Sequence, residues 1–209
     1  MSNRTTGILL AAGEGLRFSP NGRYNKLMMA LPDGTPIALA SLYALQASVG
    51  HVIAVVRPHA TTLSEILRNA GAEVLVCRNA DEGMGHSLAC VAQRCLHGPT
   101  DCVVALADMP WVQSETIDAL VDALEYAPIV APMYHERRGQ PVGFSSALLP
   151  AIARLEGDLG ARALLERYGF HGVECNDPGV LRDVDEPTDL AVLFDATFTK
   201  SLQTLQVAA

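Results

Sequence analysis

The chain has 209 residues and a formal net charge of −8 at pH 7, with 49% hydrophobic and 18% charged residues. This length suits one domain that buries about 70% of the surface its unfolded chain exposes. The acidic charge argues against a surface for a nucleic acid polymer or an anionic membrane. The five cysteines show no Cys-x-x-Cys spacing, and neither a secretory leader nor a membrane-spanning run is visible. We therefore expect reduced thiols and a cytoplasmic protein.

The first predicted element is a buried strand that opens into a polar, glycine-rich loop. Apolar residues 8–12 break at Gly13 and Gly15 into a polar loop that carries two arginines, Arg17 and Arg23, and ends at Lys26. Glycines let backbone N–H groups approach a phosphate closely, and fixed cations balance its charge. The chain has only one other lysine, Lys200. The loop therefore predicts a site for a polyphosphate.

Two common phosphate-binding loops do not fit this stretch. A dinucleotide-binding fingerprint would need a third glycine where Phe18 stands, and a Walker loop would need Ser or Thr directly after its Gly-Lys pair. Here Lys26 lies between Asn25 and Leu27. A redox protein that binds a dinucleotide is thus a disfavoured alternative.

Beyond the loop, short apolar strands alternate with helical segments. The predicted helices span 37–48, 60–70, 87–96, 115–126, 147–154, 161–168 and 188–194, and the predicted strands span 51–56, 73–77, 101–107, 129–131, 142–144 and 173–175. This alternation is typical of right-handed βαβ units. We therefore predict an α/β fold with a Rossmann-like, mostly parallel sheet and helices on both faces. Residues 1–195 would form one domain, and residues 196–209 a C-terminal tail.

Two aspartates follow strand-like runs, at the strand ends where ligands bind in such sheets. Asp108 follows the apolar run 103–107, and Asp185 follows residues 181–184 just before Pro187, which would begin a helix. Mg²⁺ is usually held by one or two carboxylates together with substrate phosphates. We therefore predict that Asp108 and Asp185 bind Mg²⁺. Two alternatives stay open: Asp108 could bond its own backbone in a turn, and Asp185 could cap the helix.

A second glycine-rich turn lies at residues 79–88, between a predicted strand and a predicted helix. Ser87 or His86 at the start of that helix could donate a hydrogen bond to a phosphate or a ring. In the alternative interpretation, Ser87 is an ordinary helix cap and His86 is a solvated turn residue.

Several motifs resemble, in order, those of the MobA-like nucleotidyltransferases, in particular the molybdenum cofactor cytidylyltransferases. Residues 10–17 with Lys26 resemble the signature Leu-Ala-Ala-Gly-x-Gly-x-Arg…Lys, and residues 107–110 match Ala-Asp-Met-Pro. Residues 138–142 resemble Arg-Gly-His-Pro-Val, residues 157–162 resemble Gly-Asp-x-Gly-Ala-Arg, and residues 183–190 resemble Asp-x-Asp-Thr-Pro-x-Asp-Leu. The loop before Lys26 is longer than the family's and lacks its Met-Gly, and Gln140 stands where histidine is frequent.

The resemblance implies a fold of the nucleotide-diphospho-sugar transferase type and a Mg²⁺-dependent nucleotidyltransferase. The implied catalytic residues are Lys26, Arg17 and Asp108. The implied nucleotide-binding residues are Leu10, Ala11, Ala12, Gly13, Gly15, Lys26, Ser87 and Asp108. The implied acceptor-binding residues are His86, Arg138, Gln140 and Pro141, and the metal ligands would be Asp108 and Asp185.

The implied partners follow from the same resemblance. The nucleotide would be a nucleoside triphosphate, with CTP favoured because the guanylyltransferase branch tends to have glycine where Ala12 stands. The acceptor would be molybdopterin or another phosphorylated compound, and a molybdoenzyme or its chaperone would be the protein partner. Two alternatives remain: a sugar-phosphate nucleotidyltransferase, and a protein that binds and delivers the molybdenum cofactor without turnover.

Overall fold

The computed structural model describes residues 5–15, 17–19, 24–98, 100–157 and 160–190. The strands are β1 (Thr5–Leu10), β2 (His51–Val56), β3 (Glu73–Val76), β4 (Asp101–Leu106), β5 (Ile129–Tyr134), β6 (Arg137–Arg138), β7 (Val142–Phe144) and β8 (His171–Glu174). The helices are α1 (Ile37–Ser48), α2 (Thr61–Asn69), α3 (Met84–Cys95), α4 (Ser114–Ala123), α5 (Leu149–Ile152) and α6 (Arg162–Tyr168).

The described strands form one mixed sheet in the order β3-β2-β1-β4-β7-β5-β6, with β8 paired to β5. Strand β1 lies between β2 and β4 and runs parallel to both, while β3 runs parallel to β2. Strand β7 is antiparallel to β4 and to β5. Because β1 to β4 are parallel, their carboxyl ends meet at one edge of the sheet, which we call the site rim.

Hydrophobic side chains of the sheet pack against helices on both faces. On β1, Leu9 belongs to the cluster that includes α1, α2 and α4, whereas Ile8 and Leu10 belong to the cluster that includes α3, α5 and α6. This alternation follows from the period of two residues in a strand. The predicted α/β architecture, with a mostly parallel sheet between helices, is thus confirmed. None of the described helices combines the length and apolar character needed to cross a lipid bilayer.

Helix α3 begins at Met84 rather than at the predicted residue 87. The early start brings Gly85 into the first turn, where a Cβ atom would lie 2.7 Å from the carbonyl oxygens of Glu156 and Gly157. Glycine is a poor helix former, so the sequence pattern did not favour this turn. Close packing against the backbone of residues 156–157 explains why a glycine is accommodated there.

The strand predicted at residues 181–184 is not formed. A 3₁₀ helix (Pro178–Leu181) occupies its start, and residues 182–185 join no sheet. The backbone N–H of Val184 instead donates to the carbonyl of Asp108 at 2.9 Å. The segment is therefore fixed by the loop after β4 and not by a neighbouring strand. The helix predicted at 188–194 is described only as far as Leu190, and the predicted tail at 196–209 lies outside the described residues.

Candidate active site

A cavity of about 350 Å³ opens at the site rim. Six of the predicted nucleotide-binding residues line it, namely Leu10, Ala12, Gly13, Lys26, Ser87 and Asp108. Ala11 lies instead in the core, where its N–H donates to the carbonyl of Val55 at 2.9 Å. Gly15 has a φ of 64°, which favours glycine, and a Cβ atom there would lie 3.5 Å from the side chain of Lys26. The structure thus gathers the glycine-rich loop, Lys26 and Asp108 around one space.

The ammonium group of Lys26 lies between the two aspartates that the sequence predicts as metal ligands. Lys26 begins a short 3₁₀ helix (Lys26–Met28), and its side chain is 9% exposed. Its Nζ atom donates to Asp108 Oδ2 at 2.7 Å and to the carbonyl of Val184 at 2.9 Å, and lies 3.5 Å from Asp185 Oδ1. Three acceptors match the three N–H donors of an ammonium. This cation is therefore both buried and satisfied.

Arg17 neutralises the other oxygen of Asp185. Its Nη1 atom donates to Asp185 Oδ2, while its side chain is 76% exposed and lies outside the cavity lining. Among the described residues, Lys26 and Arg17 are the only side chains paired with the Asp185 carboxylate. Both predicted metal ligands are thus compensated by a cation of the chain itself.

The two capping alternatives do not match the geometry. The backbone N–H groups of Asp185 and Glu186 donate to Asp189 Oδ2 at 2.8 and 2.7 Å, so Asp189 rather than Asp185 caps this turn. Helix α3 has Gly83 as its N-cap residue, and Ser87 is the fourth helical residue. Ser87 therefore does not cap the helix. It is buried and lines the cavity.

The carboxylates of Asp108 and Asp185 match in number the ligands that a protein usually contributes to a Mg²⁺ site. Asp108 and Asp185 already share one cation, the Lys26 ammonium, and Mg²⁺ commonly takes one or two carboxylates with phosphates and water completing its shell. Partial burial raises the pKa of Asp183, and the negative charges of Asp185 and Asp108 raise it further. Within the described ranges, no group of three or more His, Cys, Asp or Glu side chains is arranged to hold a metal.

Asp177 fixes the loop that follows Asp108, although it belongs to none of the motifs found in the sequence. Its side chain is 1% exposed. One oxygen accepts from the N–H of Gln113 and the hydroxyl of Thr116, both at 2.9 Å, and the other accepts from the N–H of Gly179 at 2.8 Å. Asp177 therefore ties the loop after β4 to the segment that carries Asp185.

We expect Asp177→Ala to lower the free energy of unfolding by about 2–4 kcal/mol, because three donors, two of them in buried hydrogen bonds, would lose their acceptor. Urea unfolding followed by circular dichroism measures the change. Asp177→Asn keeps the shape and one acceptor oxygen, so its loss should be intermediate. An alanine variant within about 0.5 kcal/mol of the wild type would show that this carboxylate does not stabilise the loop.

The predicted acceptor-binding residues lie outside the cavity lining. Arg138 is exposed in β6, and its guanidinium stands 5.9 Å from the ring centre of Phe170. Gln140 donates its backbone N–H to the carbonyl of Val180 at 2.9 Å, and Pro141 is buried beside it. His86 accepts from the N–H of Gly157 at 3.2 Å through Nδ1 and pairs with Glu82 through Nε2. Their role toward an acceptor stays a prediction.

Arg57, which the sequence motifs do not include, lines the cavity from the end of β2. Its Nε donates to the carbonyl of Ala12, and its Nη1 donates to Glu14 Oε1 at 2.9 Å. The signal was available, because Arg57 directly follows a predicted strand of a parallel sheet.

Comparison with known proteins agrees with this architecture. Residues 7–173 match the MobA-like NTP transferase domain. The purine catabolism protein PucB of Bacillus subtilis is 31% identical over 194 residues, which cover 88% of this chain and 92% of PucB.

Solved structures show the same likeness. Rv0371c of Mycobacterium tuberculosis has a TM-score of 0.77 and 26% identity, with 93% of this chain and 99% of that chain covered. Its manganese complex has a TM-score of 0.72 and 27% identity, with 91% and 98% covered. A nucleotidyl transferase from Methanothermobacter has a TM-score of 0.78, with 95% and 100% covered, but at 20% identity it supports the fold alone.

Proposed function

The chain belongs to the MobA-like NTP transferase family, and from this premise we propose that it transfers a nucleoside monophosphate from a nucleoside triphosphate to a phosphorylated acceptor. CTP is the favoured nucleotide and molybdopterin, or its molybdenum-bound form, the favoured acceptor. One observation carries the proposal: the Lys26 ammonium is held between Asp108 and Asp185 beside the glycine-rich loop. The family match over residues 7–173 supports a single domain within residues 1–195.

The reaction needs charge stabilisation more than proton transfer. An oxygen of the acceptor phosphate attacks the α-phosphorus, a new P–O bond forms, and the bond between the α-phosphorus and the bridging oxygen breaks to release pyrophosphate. The acceptor phosphate is already an anion, so no general base is required. Lys26 and Arg17 would offset the charge of the leaving pyrophosphate, and the backbone of Gly13 to Gly15 would hold the phosphates.

We propose Mg²⁺ as the cofactor, with Asp108 and Asp185 as its protein ligands. When bound, the ion would offset negative charge on the reacting phosphates. The manganese complex of Rv0371c shows that a structural relative binds a divalent cation. Lys26 pairs with both carboxylates and Arg17 with that of Asp185. The two cations would thus stand beside the metal and the phosphates that it binds.

The nucleotide and the acceptor are proposed from the resemblance of the motifs. Ala12, the residue that favours CTP, lies in the cavity lining. The segment at residues 138–142, which the motif resemblance assigns to the acceptor, does not line that cavity. A sugar phosphate therefore remains the alternative acceptor.

Pyrophosphate release tests the proposed function. CTP, GTP, ATP and UTP should be compared with purified molybdopterin, with a panel of sugar phosphates and without acceptor. We expect release with CTP and molybdopterin, and little without acceptor. Release with a sugar phosphate alone would assign the alternative acceptor. Tight binding of molybdopterin without any pyrophosphate release would instead indicate a protein that delivers the cofactor.

A further inference from the structure

Arg57 connects the ends of two neighbouring strands at the site rim. It follows β2, and its guanidinium reaches the loop after β1, where it donates to the carbonyl of Ala12 and to the carboxylate of Glu14. The Arg57 side chain is 29% exposed and that of Glu14 is 48% exposed. This ion pair is therefore partly shielded from solvent, and it closes one wall of the proposed nucleotide cavity.

Glu14 is an unfavourable neighbour for a triphosphate. Glu14 lies in the cavity lining, and in sequence it stands between Gly13 and Gly15. A negative charge at that position would repel a polyanion across a short distance. Among the described residues, Arg57 is the only hydrogen-bond partner of this carboxylate. Arg57 therefore both offsets the charge of Glu14 and fixes where the side chain points.

The guanidinium of Arg57 also has more N–H donors than acceptors among the described residues. A guanidinium carries five N–H donors in a rigid, planar arrangement, and within the described residues it has two acceptors, Ala12 and Glu14. A second cavity of about 510 Å³ shares Glu14, Arg57 and Asp81 with the first. Arg57 thus stands in the wall between the two cavities and is held there by the loop itself.

We propose that Arg57 is a positioning residue for the nucleoside triphosphate. It holds residues 12–14 of the glycine-rich loop in the shape that receives the phosphates, and it cancels the charge of Glu14. The inference rests on the proposed function, because it assumes that the cavity binds a nucleotide. It does not depend on the identity of the acceptor.

Binding of the non-hydrolysable analogue α,β-methylene-CTP, measured by calorimetry, tests the inference together with steady-state kinetics. We expect Arg57→Ala to weaken analogue binding and to raise the KM for the nucleotide by about tenfold. This factor lies between the losses of affinity expected on removing an exposed and a buried charge pair. The KM for the acceptor should stay within about twofold of the wild-type value. Arg94→Ala is the matched control, because it removes an arginine–glutamate pair, with Glu73, at the opposite edge of the sheet.

Glu14→Gln separates this role from a purely structural one. The substitution removes the negative charge, so the single variant should bind the analogue at least as tightly as the wild type. In the Arg57→Ala background it should recover most of the lost affinity, whereas a loop that had simply collapsed would not be rescued. This single variant also keeps the test decisive if Arg57→Ala folds poorly.

The outcomes distinguish this inference from the function on which it rests. If the wild type binds the analogue and Arg57→Ala binds it equally well, only the role of Arg57 is overturned. Weaker binding by Glu14→Gln than by the wild type would also overturn it, since the carboxylate would then help to bind the nucleotide. If the folded wild type binds none of the four nucleoside triphosphates with Mg²⁺, both the proposed function and the role of Arg57 fail.

Discussion

Lys26→Ala is expected to lower turnover by about 10²- to 10³-fold, the cost of removing one preorganised group that stabilises charge in a transition state. The structure supports a preorganised role, because Nζ is fixed by Asp108 and Val184 within the cavity lining. Pyrophosphate release under single-turnover conditions measures the effect on the chemical step. Arg94→Ala, which removes a cation far from the site rim, should keep wild-type turnover.

The same substitution should also lower stability, which the sequence did not predict. From sequence alone, a lysine at the end of a polar loop has no packing role, and its removal is expected to leave folding nearly unaffected. The structure corrects this view, because Lys26 is buried and joins three acceptors. We expect Lys26→Ala to cost about 1–3 kcal/mol of unfolding free energy.

Lys26→Met keeps the length of the side chain, so it separates the loss of charge from the loss of packing. Turnover of Lys26→Met within about twofold of the wild type would remove Lys26 from the catalytic residues.

Asp108→Asn and Asp185→Asn should each lower turnover by at least about 10²-fold, because each removes a positioned charge from a shared cation site. The double variant should be little worse than the worse single variant, since residues that act through one ion are strongly non-additive. Raising the Mg²⁺ concentration should recover part of the loss. Kinetics across a Mg²⁺ series for the two single variants and the double variant provide the measurement.

Direct metal binding supplies a second readout for the two aspartates. The affinity for Mn²⁺ in the presence of α,β-methylene-CTP, followed by electron paramagnetic resonance, should fall in both single variants. A silent Asp185→Asn variant would remove Asp185 from the metal site and leave Asp108 in place. Asp189 provides the contrast, because it caps the adjacent turn through two backbone N–H groups. Its asparagine variant should change stability slightly and metal affinity little, since Asn caps about as well as Asp.

Local sequence patterns predicted much of the fold because the signals are themselves local. The strand β1, the loop after it and the helix α1 follow from periodicity and from turn residues near them. The rule for the carboxyl ends of parallel strands then placed the glycine-rich loop and Asp108 at one rim, as observed.

Contacts between distant segments could not be predicted from local sequence patterns. The antiparallel β7, the burial of Lys26 and the bond from Val184 to Asp108 depend on pairing across long stretches of chain. Asp185 lies beside Lys26 at the rim, but a segment bonded to the loop after β4, and not a strand, brings it there. Its role as a metal ligand stays a prediction.

The segment at residues 177–185 has a consequence for the order of events during protein synthesis. Strands β1 to β4 lie within residues 5–106, so they can leave the ribosome and pair while the rest of the chain is still being made. Lys26 then lacks two of its three acceptors, because Val184 and Asp185 lie 158 and 159 positions further along the chain. The nascent protein would thus contain a largely folded core before the contacts of Lys26 in the proposed phosphate site are complete. Nucleotide turnover would begin only after residues 177–185 have closed over the loop that carries Asp108.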